Sequence, residues 1–296
     1  MVQTIGNPLS WTAKVFGRGM RHLEEGTSEL GGDDDTAIVI RHIGIEDLRF
    51  ALRKGFEDFQ ALRSDAIFIV LIYPIIGVLL VLFASNADLL PMVFPMVSGF
   101  ALLGPLAAVG LYEMSRRREL GLDTGWVHAF SVIGSPSFVP ILVLGGYLVV
   151  LFTAWMLCAN WIYALTLGPE APVSQTVFVS DVLTTGTGWV MIIVGCFVGF
   201  VFAATVLATS VVSFPLLIDH HIGVPKAVVT SVRITRENPF TIAVWGAIVA
   251  GLLGIGMITM FLGLIIILPV LGHATWHLYR RAVASAPSKR TAQDHT

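Results

Sequence analysis

Residues 238–279 read NPFTIAVWGAIVAGLLGIGMITMFLGLIIILPVLGHATWHLY, 42 residues without an Asp, Glu, Lys or Arg. One helix of that length would be about 63 Å long at 1.5 Å per residue, about twice the 30 Å hydrocarbon core of a bilayer. The stretch therefore predicts two crossings joined tightly around Gly254, Gly256 or the segment Met257–Gly263. Upstream lie four more long apolar runs: Ala66–Ser85, Leu89–Tyr112, Phe138–Leu165 and Trp189–Ile218. The expected spans are 66–85, 89–112, 138–165, 189–215, 239–257 and 260–280, an all-α polytopic bundle of six transmembrane helices arranged as three hairpins.

Composition excludes a soluble alternative. The 296 residues are 55% hydrophobic and 13% charged, against about 25% charged in ordinary soluble domains. Folded in water, such a chain would expose large apolar patches, which lipid instead solvates.

Lys and Arg concentrate in cytoplasmic loops of membrane proteins, which tests the span count independently. Eight lie in 1–65, three at Arg116, Arg117 and Arg118, three at Lys226, Arg233 and Arg236, and four at Arg280, Arg281, Lys289 and Arg290, together all 18 in the chain. The other loops hold only the acids Asp88, Glu170 and Asp181. Six spans with both termini cytoplasmic, in a bacterial inner membrane, satisfy this pattern, whereas five or seven break it. Residues 1–65 hold no apolar core of signal-peptide length. Residues 1–37, with their Gly-Gly-Asp-Asp-Asp at 31–35, are expected to be a flexible tail, and 284–296 a disordered one.

Each outward-going span is preceded by an amphipathic segment. Ile45, Leu48, Leu52, Phe56, Phe59 and Leu62 recur at helical spacing, with Glu46, Arg49, Arg53, Lys54, Glu57 and Asp58 opposite. Trp126, Phe130 and Ile133 share a second face, and Val224, Val228, Val232 and Thr235 a third. Such helices either lie on the cytoplasmic leaflet or pack beneath the bundle.

Intramembrane charge marks transport pathways, and none stands at mid-span. Glu113 is expected to pair with Arg116 and Arg117 at the membrane edge, Asp65 to cap the first span, and Asp219 to end the fourth in a loop. Pro105 and Pro269 should kink the second and sixth spans, and Pro74 the first. The sharpest local pattern is His273-Ala274-Thr275-Trp276-His277, whose histidines, four apart, share a helix face and are the candidate metal or haem ligands. Ala274 stands where a zinc hydrolase carries Glu, and a third ligand would have to come from His220, His221, His128 or Glu113. Both histidines are therefore expected to be structural, with no metal and no cofactor. His220-His221 reads as a solvated loop, Gly195 and Gly199 with Gly246, Ala250 and Gly254 as packing faces, and Cys158 and Cys196 as small residues within apolar runs.

Three stretches together resemble a bacterial family of integral-membrane proteins of unknown function. They are Ile40-Arg41-His42-Ile43-Gly44 continuing through Asp47-Leu48-Arg49 to Tyr73-Pro74, the run Glu113-Met114-Ser115-Arg116-Arg117-Arg118-Glu119, and Leu268-Pro269-Val270-Leu271-Gly272-His273-Ala274-Thr275-Trp276-His277. The likeness covers about residues 38–283 and implies six helices but no activity. Such families sometimes carry labels tying them to cytochrome oxidase, whose catalytic core needs histidines spread over several helices; this chain lacks that set. The expected role is a non-enzymatic scaffold or an accessory or assembly subunit of a membrane complex, a respiratory one included, with the lipid bilayer and another membrane complex as partners and no nucleic acid. The alternatives are a permease for a neutral or lipophilic solute and a metal- or haem-binding protein using His273 and His277.

Overall fold

The computed structural model describes residues 38–84, 87–220 and 222–285. The tail expected at 1–37, most of that at 284–296, and His221 lie outside these residues. Among the described residues four helices are long and apolar enough to cross a membrane: Arg63–Phe83, Phe138–Thr166, Gly186–Asp219 and Pro239–Ile258.

The chain enters through a short strand, β1 (Ile38–Ile40), and the amphipathic helix α1 (Ile45–Ala61). The first span follows as α2 (Arg63–Val70) and α3 (Ile72–Ala84). The break falls just before Pro74, which cannot donate to the Val70 carbonyl and crowds the preceding turn. A 3-10 turn at Ala87–Met92 leads into the second apolar run, expected as one kinked helix. It is instead three pieces, α4 (Val93–Leu102), α5 (Gly104–Ala107) and α6 (Val109–Glu119). Pro105 accounts for the first interruption, because it has no N–H for the Ala101 carbonyl. The apolar part recognisable as a helix here is only Leu89–Leu102.

A single turn, α7 (Trp126–Ala129), and a 3-10 turn at Phe130–Gly134 connect to the unbroken α8 (Phe138–Thr166). The following loop contains α9 (Gln175–Thr184), capped by the Ser174 hydroxyl. Thr185 ends α9 and caps α10 (Gly186–Ser210). α11 (Ser213–Asp219), α12 (Val224–Glu237), α13 (Pro239–Ile258) and α14 (Leu264–Ala282) complete the helices.

The 42-residue stretch that opened the reading does form two helices. Its turn is the last of the three expected places, Thr259–Gly263, where Met260 and Phe261 both take positive φ. Gly256 and Leu264 touch there, leaving no room for a side chain at 256. α14, 19 residues long, is not apolar enough throughout to count among the four long apolar helices: its apolar half ends at Leu271 and a polar half, His273–Arg281, follows. β2 (Val283–Ser285) then pairs antiparallel with β1, Ile38 opposite Ser285 and Ile40 opposite Val283. Ala284 and Ser285 thus join a ladder where a disordered tail was expected.

The small-residue faces divide in two. A side-chain carbon at Gly199 would meet Trp155 at 3.1 Å and one at Gly246 would meet Leu207 at 2.6 Å, so these glycines serve packing within the bundle; Gly195 and Gly254 face open space.

Candidate functional site

α1 lies along the polar half of α14. The contact is close because Gly55 carries no side chain: a Cβ there would stand 2.5 Å from the Ala274 nitrogen and 2.7 Å from the Val270 carbonyl oxygen. Leu48, Ala51, Gly55, Asp58 and Phe59 are the buried residues of α1, so Leu48 and Phe59 of the expected apolar face are buried as read. This corrects the sequence reading, which put Asp58 on the solvent face and Phe56 on the apolar one. Asp58 is 5% exposed and Phe56 46%. A helix crossing at backbone distance selects small residues, so Ala51, Gly55 and Asp58 join Leu48 and Phe59 on the buried side and Phe56 is displaced from it.

Asp58 is the hub of the site. Its Oδ1 accepts from Arg118 Nη1 at 2.5 Å, and its Oδ2 accepts from Ser115 Oγ at 2.7 Å and from His277 Nε2 at 2.8 Å. α6 and α14 thereby close on one carboxylate of α1. Burial raises the Asp58 carboxyl, but hydrogen bonds from His277 and Ser115 and the nearby imidazoles outweigh it and hold the group below its ordinary value. An ionised Asp58 accepts only, which fixes the remaining protons. Ser115 donates to Asp58, so the 2.7 Å contact of Ser115 Oγ with His273 Nδ1 needs the proton on Nδ1. His273 Nε2 is then a bare acceptor, buried without a hydrogen-bond partner. In this arrangement the Ser115 proton goes to Asp58, the histidine donates to the serine, and Ser115 is 1% exposed, which is not the proton path of a Ser–His–Asp nucleophile.

A second network joins α6, α11 and α14. Glu119 accepts from Trp276 Nε1 at 2.9 Å and Arg280 Nε at 3.0 Å. Asp219 accepts from Tyr279 Oη at 2.7 Å and Arg280 Nη1 at 3.2 Å, and Arg116 Nε lies 3.5 Å from it, an ion contact without hydrogen-bond geometry. The run Arg116–Arg118 fans out because successive helical residues point about 100° apart. Arg118 reaches α1; Arg117 donates to the Asp123 carbonyl at 2.8 Å; Arg116 approaches Glu113 at 3.4 Å as well as Asp219. A cleft of about 480 Å³ opens between these pairs, lined by Lys54, Glu57, Asp58, Arg118, His277 and Arg280 among others.

The structure brings His273 and His277 to one cluster, yet not as a shared ligand pair, since His277 gives Nε2 to Asp58 and His273 gives Nδ1 to Ser115. Among the described residues no group of three or more His, Cys, Asp or Glu is placed to hold a metal ion. His220 Nε2 is 3.5 Å from Asp219, and His128 sits by α7 with Nδ1 buried and unpartnered. Glu113 does pair with Arg116 and, more loosely, Arg117. Asp65 does not cap the first span: its Oδ1 accepts the Trp126 backbone N–H at 3.0 Å, tying α2 to α7. Sequence reasoning missed Asp58 and Ser115. The available signal for Asp58 was its spacing of three and seven residues from Gly55 and Ala51.

Residues 93–219 match the family described as "Predicted integral membrane protein (DUF2189)", whose function is unknown. The match takes in α4 to α11 and less than half of the chain. Of the three stretches that carried the resemblance, it includes Glu113–Glu119 and omits those in α1–α3 and α14. No curated protein and no solved structure matches the chain.

Proposed function

We propose that this integral membrane protein crosses a bacterial inner membrane six times, with both termini cytoplasmic, and serves as a non-enzymatic scaffold or accessory subunit of a larger membrane complex. The observation that carries this reading is the bareness of the third of the four long helices, Gly186–Asp219. Only 6% of the most apolar window of Gly186–Asp219 is buried, against 22–28% in the other three. Trp189, Ile193, Phe197 and Phe200 all point away from the bundle. A span that packs so little against its own chain offers its length to a neighbour in the membrane. The ion pairs at the opposite, basic end close on each other across α1, α6, α11 and α14, a rigid base for such a face. His273 and His277 belong to that base as structural residues without metal or haem.

Isolation of the tagged protein from its native membranes in mild detergent tests the role. A large membrane complex in fixed stoichiometry is expected, and a lone monomer or homodimer would sink the proposal. Reporter fusions after residues 88, 170 and 258 should read periplasm and those after 118, 226 and 290 cytoplasm, with a cytoplasmic signal at 170 breaking the topology. The permease reading has one observation in its favour, the second apolar run broken into α4, α5 and α6, because discontinuous helices build transporter sites.

A further inference from the structure

Three amphipathic segments look alike in the sequence, yet they meet different surroundings. α1 buries its small-residue stripe on α14. α12 buries Ala227, Thr230, Ser231 and Ile234, with the Ser231 hydroxyl donating to the Ala208 carbonyl of α10 at 2.8 Å. The middle segment, 126–134, leaves every large residue outside. It packs inward through its small or medium residues, Ala129 and Val132, the former close enough to α6 that a Cβ at Gly110 would lie 3.2 Å from it. Its large residues Trp126, Val127, Phe130 and Ile133 point outward, between 43% and 59% exposed.

We propose that residues 126–134 are a membrane-interface anchor whose outward residues sit in the lipid leaflet at the basic end of the bundle. What covers them follows from continuity. The Trp126 ring lies against Phe68 on α2, centroids 4.8 Å apart. Phe68 in turn begins the outward line Leu71, Ile72, Ile75 and Leu79 of the first span. That line is on this reading the lipid-facing side of the first span, so the patch is the end of one continuous apolar surface and not an island. A protein partner would have to cover the span together with the patch. Trp126 at the junction of apolar span and polar loop, with exposed Arg63 beginning the same helix, suits the headgroup level, where indoles and cations settle. The hydrogen bond from the Trp126 N–H to Asp65 fixes the segment at that height.

The inference rests on the chain being a membrane protein, not on its role as scaffold. Its test uses full-length protein with Cys158 and Cys196 replaced by Ala and one new cysteine, Val127→Cys, Phe130→Cys or Ile133→Cys, carrying a polarity-sensitive fluorophore. The protein is reconstituted in phosphatidylethanolamine–phosphatidylglycerol vesicles with a spin-labelled lipid as quencher. Gln60→Cys, on the exposed side of α1, is the water reference. All three positions should emit to the blue of the reference and be quenched several-fold more strongly by the lipid label. Emission matching the reference would overturn the proposal in favour of water. Blue emission without lipid quenching would overturn it in favour of a protein cover. Three independent sites keep the test readable if one variant misfolds, and lipid quenching does not depend on which side the loop occupies, so the topology can fail separately.

Discussion

α1 and the 126–134 segment read as the same device in the sequence and are opposites in the fold. Both present apolar residues at helical spacing next to a span. In α1 the large residues Leu48 and Phe59 are buried beside Ala51, Gly55 and Asp58, and of its apolar set only Phe56 is exposed; in 126–134 the largest all face outward and Ala129 makes the contact. Periodicity tells which residues share a face, because the backbone repeat is fixed. It does not tell whether that face meets lipid, water or another helix at backbone distance. Where another helix comes that close, the smallest residues win the contact, and a charged one can join them if remote donors satisfy it.

The comparison is broken most severely at its glycines. Gly55→Val should destabilise the protein at or beyond the upper end of the about 1–3 kcal/mol typical of overpacking, because the atoms it would strike are the Ala274 and Val270 backbone, which cannot swing aside. Gly134→Ala, in the middle segment, meets nothing within 4 Å and should change stability by less than about 0.5 kcal/mol. Thermal unfolding in one detergent checks both, and equal effects would erase the distinction between the two segments.

Next in size is the hub carboxylate. Asp58→Ala leaves Arg118, Ser115 and His277 without their common acceptor and should cost about 2–3 kcal/mol, less than the about 3–5 kcal/mol of a fully buried pair because Arg118 keeps partial access to water. The same carboxylate gives the protein a pH dependence of definite sign. Its folded value is depressed, so its contribution is complete above the unfolded carboxyl value of about 3.9 and is lost as pH falls through the lower folded value. Stability profiles of wild type and Asp58→Asn should converge at the acid end of that window and separate above it. Parallel profiles would remove Asp58 from the hub.

The smallest effect separates two neighbours on α1. Leu52→Asp, at a half-buried position packed on the core, should lower stability by about 1–2 kcal/mol, whereas Phe56→Asp should cost less than half as much in detergent. A larger loss at Phe56 would show that its exposed ring has a cover of its own.

Much of the fold was legible. The long uncharged runs and the confinement of all 18 Lys and Arg to alternate loops are consequences of the bilayer acting on composition, and composition is what a sequence displays. The turn near Met257–Gly263 was within reach because a helix of twice the bilayer thickness must turn somewhere in its middle. The break ahead of Pro105 was half legible: proline announces an interruption but not that the helix will resume as two separate pieces. α9 was missed because Gln175–Thr184 has neither a strong apolar stripe nor a buried residue. His273 and His277 were visible as a pair, but their partners lie some 150 to 220 positions away along the chain.

By itself the sequence determined that this chain is a membrane protein, where its long apolar runs lie, and which stretches carry the positive charge. Each of these is set by transfer of one segment between water and lipid, a sum over neighbouring residues that needs no knowledge of the rest. Only the tertiary structure decided that Asp58 is buried, that three consecutive arginines part company toward α1, the Asp123 loop and α11, and that one of three similar amphipathic segments keeps its large residues outside. Those outcomes depend on which remote donor or backbone stands opposite a given side chain. A buried carboxylate is tolerated only where Arg118, Ser115 and His277 converge, and that convergence belongs to the packing of α1, α6 and α14.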